Sequence, residues 1–153
     1  MKFFRTLMML ASLSVALSAA NVTLSTDPLT GLPIDPKSDP GMNAGNAPTK
    51  MDDMQICNSK MQANHYSVFD KVDPTVGWYA AHLTGFHKSH TYYRNRTQNA
   101  FYNDAGTLVV IVVGELGKDG ENVDTHAVTY YRFQPGLPAK TILSFGQQTT
   151  ECR

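Results

Sequence analysis

Residues 98–113 read QNAFYNDAGTLVVIVV. Two β-prone runs flank the turn Asn103-Asp-Ala-Gly106, the local signature of a hairpin. The second run, residues 108–113, is apolar at every position. A strand of that kind is buried on both faces and belongs in the centre of a sheet. Downstream, residues 114–122 hold three glycines and four charges and read as a surface loop, and residues 125–134 alternate as a further strand. Pro135-Gly136 then turns the chain into a last strand over 140–145.

Upstream of the hairpin, residues 87–95 are aromatic and polar and read as a strand. The clearest helical signal precedes them. Asp73 is a natural N-cap, Pro74 fits the first helical position, and Gly85 fits the position just past the end. Val76, Tyr79, Ala80 and Leu83 recur at helical spacing and form one apolar face. Trp78 lies about 100° from Tyr79 and belongs at the edge of that face. Residues 65–70 alternate as a strand, and Thr49-x-x-Asp52 predicts a short helix over 50–57. The expected fold is α+β: one main helix packed on a meandering antiparallel sheet of about five strands, with a disordered N-terminal tail.

The expected boundaries are a signal peptide over 1–20, a flexible tail over 21–48 and a single α+β domain over 49–153. Lys2 and Arg5 form a positive n-region, residues 7–17 an apolar h-region, and Ser18-Ala19-Ala20 a cleavage site. The apolar run is too short to cross a bilayer, which takes about 20 residues. The mature chain is therefore expected to begin at Asn21, without a membrane span, and to be secreted or periplasmic. The tail carries five prolines and Asp-Pro pairs at Asp27, Asp35 and Asp39. Proline restricts the residue before it to extended forms, and so few large apolar groups do not offset ordering entropy.

Charges balance, 13 basic against 13 acidic, which disfavours nucleic acid as a partner. The two cysteines, Cys57 and Cys152, predict a disulfide in an exported chain.

Three features bear on chemistry. His82, His87 and His90 fall within nine residues, and imidazole is a common ligand for zinc and copper. Their spacing matches no helical metal motif, and in a strand His87 and His90 point to opposite faces. Tyr92, Tyr93, Arg94 and Arg96 cluster, and Tyr130, Tyr131 and Arg132 echo them. Tyrosine beside arginine is the composition of binding surfaces, so these seven residues form a candidate ligand surface. No nucleophile–base pair, phosphate-cradling glycine loop or cofactor motif is present. The expectation is a non-catalytic exported domain that binds or supports a cell-envelope or extracellular partner, without cofactor. The alternative is a metal-binding protein or metalloenzyme using the histidine cluster.

Residues 72–86, VDPTVGWYAAHLTGF, and 101–110, FYNDAGTLVV, resemble a group of small exported bacterial proteins without an assigned activity. In that group a strand leads to a helix of form V-x-x-[WF]-Y-x-x-x-L-x-G-[FW] and then to antiparallel strands. The Cys-x-Ser-Lys-Met stretch at Cys57 and the Asp-Pro-rich tail are also similar, so the likeness spans about residues 25–153. It implies an α+β domain outside the cytoplasm and implies no activity.

Overall fold

The computed structural model describes residues 25–39, 49–93, 96–115, 124–144 and 152; for residues 49–53, 92, 93, 115 and 126 it describes the backbone alone. The elements in chain order are β1 (Ser38–Asp39), β2 (Thr49–Ile56), β3 (Ser59–Val68), α1 (Val72–His82), β4 (His87–Tyr93), β5 (Arg96–Tyr102), β6 (Leu108–Glu115), β7 (Thr125–Gln134) and α2 (Ala139–Ser144). The expected signal segment, residues 1–20, lies outside the described residues. No helix among those described is long and apolar enough to cross a membrane.

The expected α+β fold is overturned. The molecule is mostly strand: a curled antiparallel sheet of seven strands with two small helices, rather than one main helix on a five-stranded meander. Strand order is β1-β3-β7-β6-β5-β4, with β2 also on the outer side of β3. The predicted hairpin is β5–β6, paired from Tyr102↔Val109 to Arg96↔Glu115. As its composition requires, β6 lies inside the sheet, between β5 and β7. Val110 and Val112 face one cluster, and Val109 and Ile111 face the other.

Two local readings changed class. Residues 50–57, the expected short helix, are instead the strand β2 up to Ile56 and the start of a turn at Cys57. A helix of eight residues is marginal by itself, whereas the free edge of β3 offers ladder hydrogen bonds from Thr49↔His65 to Ile56↔Ser59. The turn between these strands is Cys57-Asn58, with Cys57 at φ 56°, an uncommon conformation for a residue other than glycine. Residues 139–144 form α2, not a strand. Pro138 opens it, accepting at its carbonyl from the N–H groups of Thr141 and Ile142. Its buried Thr141 and Ile142 cover the second sheet face, where Ile142 joins Met61, Val109, Ile111 and Phe133.

The helix α1 stands close to where periodicity put it. Its N-cap is Lys71, without a side-chain cap, so Asp73 lies inside the first turn. Val76, Tyr79 and Leu83 are buried and Ala80 is exposed. Val72 and Thr75 complete the inner face instead. Gly85 takes the left-handed conformation expected past a helix end, at φ 81°.

The flexible tail is corrected for residues 25–39. This segment is a packed strap on the first sheet face. Leu32 and Ile34 pack against the core cluster, and Asp27 and Asp35 are buried. The bridge Thr26↔Pro33 folds the strap on itself, and β1 pairs with the end of β3 at Ser38↔Val68 and Asp39↔Ser67. Composition misled because the strap contributes few apolar groups of its own. It is held by polar groups waiting on the sheet.

Two further contacts tie distant parts of the chain together. Cys57 and Cys152 form a disulfide, as expected, with Cα atoms 5.4 Å apart. On the far side the backbones of 105–106 and 136–137 lie in direct contact: a Cβ on Gly106 would collide with the carbonyl of Leu137, and one on Gly136 with that of Ala105. The Leu137 N–H donates to the Gly106 carbonyl at 2.9 Å, and the Gln134–Pro135 bond beside it is cis.

Candidate functional site

Among the described residues, chemistry-bearing side chains gather in a buried network beneath the strap and in an open cleft at the end of the sheet. The network centres on Asp27. Its Oδ1 accepts from the Thr30 N–H at 2.9 Å and the Thr30 hydroxyl at 2.8 Å. Its Oδ2 accepts from Asn64 Nδ2 at 2.7 Å and the Tyr66 hydroxyl at 2.6 Å. All four donors are neutral. Beside them the Tyr130 hydroxyl donates to the Pro33 carbonyl at 2.9 Å. Having spent its proton there, Tyr130 accepts from Tyr79, 2.6 Å away.

Burial pushes the Tyr66, Tyr79 and Tyr130 hydroxyls well above the ordinary phenol value, because the anion would lose its hydration. The hydrogen bond to Asp27 pushes Tyr66 further in the same direction. These hydroxyls stay protonated and serve as donors. Tyr79 and Tyr130 are fully buried and Tyr66 nearly so, so the network clamps the strap and presents no group to a substrate.

The open cleft lies where β3 gives way to α1 and β7 begins. Ser67, Val68, Phe69, Asp70, Lys71, Asp124 and Thr125 enclose about 630 Å³. Backbone contacts fix its walls: the Thr125 N–H donates to the Asp70 carbonyl at 2.8 Å, and Lys71 bridges to Asp124. Two ion pairs rim it. Lys37 Nζ meets Asp70 Oδ2 at 2.6 Å, and Lys71 Nζ meets Asp124 Oδ1 at 2.7 Å. The Lys37 hydrogen bond holds the Asp70 carboxyl below the usual carboxylate range and raises Lys37 in turn. Phe69 stands among these charges 72% exposed. A ring so exposed buries little apolar surface and adds little to the core.

A smaller cleft of about 400 Å³ lies between the strap turn at Leu29 and Thr30 and the sheet residues Thr107, Leu108, Arg132, Phe133 and Gln134.

The predicted histidine cluster is dispersed over separate partners. His82 Nδ1 bonds the Trp78 carbonyl at 2.7 Å, and its ring stacks on the indole at 4.0 Å between centroids. His87 Nε2 meets Asp104 Oδ1 at 2.5 Å, and His90 Nδ1 meets Asn99 Oδ1 at 2.8 Å. Among the described residues, no three His, Cys, Asp or Glu side chains gather as a metal site.

The tyrosine–arginine set is also spread out. Arg96 is level with Tyr93 and Glu115 in the register. Tyr130 is level with Val110, itself opposite Phe101, which lies five residues along β5 from Arg96, about 17 Å. Tyr130 is buried, Tyr131 half-buried above Phe133, and Arg132 exposed at the smaller cleft. Arg94 and the side chains of Tyr92 and Tyr93 lie outside the described residues.

Sequence reasoning passed over Phe69, because an aromatic at the end of a β-prone run reads as core. The available signal was its neighbours: the charged residues Asp70 and Lys71 directly follow, and such residues are rarely fully buried. No protein family, curated protein or solved structure matches this chain.

Proposed function

We propose that this protein is a non-catalytic exported domain that binds or supports a protein partner of the cell envelope or extracellular space. The observation that carries the reading is Phe69, exposed beside an open cleft and framed by two ion pairs. An aromatic anchor with a charged rim is the composition of a protein-docking surface. The Cys57–Cys152 bond fits an oxidising compartment, and Lys2, Arg5 and the apolar run after them fit export. The resemblance of residues 72–86 to small exported bacterial proteins agrees.

A photo-crosslinking amino acid placed at position 69 in the producing cells tests the reading. Position 81, exposed on α1, serves as the control. A protein adduct at 69 and none at 81 supports docking through the cleft. Equal labelling at both sites, or none at either, overturns it.

A further inference from the structure

We propose that the partner at the Phe69 cleft is a second copy of this chain, docked about a two-fold axis. The inference rests on the docking reading above and names its occupant. A two-fold interface uses one patch on both molecules, so the patch must complement itself in shape and charge. This patch holds the parts for both. It carries a knob, the exposed Phe69 ring, and beside it a hole of about 630 Å³. Rotation by 180° seats each ring in the other copy's cleft. The rim holds two cations, Lys37 and Lys71, and two anions, Asp70 and Asp124.

A rim with both signs in equal number can meet its own image with every charge opposed. The Asp124 side chain is 83% exposed although it pairs with Lys71, so its carboxylate is open to a second cation across the axis. Without the expected signal segment, which holds Lys2 and Arg5 and no acidic residue, the chain keeps 11 basic and 13 acidic residues, so two copies approach with little net repulsion. A nucleic acid or an anionic membrane would instead demand an excess of lysine and arginine at this place.

Sedimentation velocity on the oxidised protein tests the proposal over a concentration series. A monomer–dimer equilibrium is expected. Phe69→Ser should weaken it by about tenfold or more, as loss of an anchor residue does; in samples dilute enough that both proteins are monomeric the melting curves should coincide, because the ring is exposed. Lys71→Glu and Asp124→Lys should each be monomeric, since each sets like charges opposite across the axis. Mixing these two variants should restore a dimer, seen as a heterodimer by native mass spectrometry. A protein that stays monomeric at every concentration overturns the proposal, as does a dimer indifferent to Phe69→Ser. If the protein is monomeric while position 69 crosslinks a different protein, self-pairing falls and docking stands. If position 69 crosslinks nothing, both fall.

Discussion

Asp27 shows at the scale of one residue how a polar side chain can hold a segment in place. A buried donor left without an acceptor costs about 1–3 kcal/mol. Removing the carboxyl strands both Asn64 Nδ2 and the Tyr66 hydroxyl. Asp27→Ala should therefore destabilise the protein by about 2–5 kcal/mol in urea unfolding, and an unchanged midpoint would show that the strap does not depend on it. The tyrosines add a pH dependence whose sign follows from linkage. Tyr66, Tyr79, Tyr130 and Tyr131 all have folded pKa values raised above the ordinary 10.0. Their contribution is intact below pH 10 and is lost as pH rises, because the unfolded chain releases these protons first. Stability should fall from about pH 10 upward, and Tyr130→Phe should remove up to about 1.4 kcal/mol per pH unit from that slope. Equal slopes in urea titrations at pH 9–11 would refute the burial of that hydroxyl.

At the scale of elements, the strap and the disulfide do work that the sheet does not do alone. Residues 25–39 pack Leu32 and Ile34 on the core cluster and supply hydrogen-bond acceptors to Tyr66 and Tyr130, so a chain beginning at residue 41 uncovers part of that cluster and loses both acceptors. Its melting temperature should drop by about 10 °C or more. Equal melting curves would return the segment to a dispensable tail. The Cys57–Cys152 bond closes a sequence separation of 95 residues. A link of that span restricts the unfolded chain strongly, so Cys57→Ser should cost about 2–4 kcal/mol, read from the shift in denaturation midpoint. β2 and α2 show why the element readings failed where they did. Each is short, and each was decided by what it meets: β2 by the edge of β3, α2 by the second face around Val109 and Phe133.

At the scale of the whole molecule, the two clusters share one sheet. Successive residues of β6 alternate between them, and the strap, α1 and β7 meet through the hydroxyls of Tyr79 and Tyr130. No layer can leave without uncovering the next. Unfolding should be a single cooperative transition, with the fluorescence of Trp78, the only tryptophan, coinciding with the far-ultraviolet circular dichroism of the sheet. An earlier tryptophan transition would mark α1 as a separate unit.

The sequence alone determined the parts whose signals are local. The Asn103–Gly106 turn with its apolar strand, the alternation over 125–134, the inward Tyr79 and the cysteine pair were legible. Backbone stereochemistry, side-chain periodicity and covalent chemistry act within a few residues or between unique partners. Tertiary structure alone decided the class of the fold, the state of residues 25–39 and the place of Phe69. A strap poor in apolar groups is ordered because Asn64, Tyr66 and Tyr130, tens of residues away in sequence, converge on it from two strands. Phe69 is left in water because β3 ends at Val68 and the chain bends at Asp70 on its way into α1. Both outcomes depend on which distant surfaces meet, and that information resides in no single stretch of the chain.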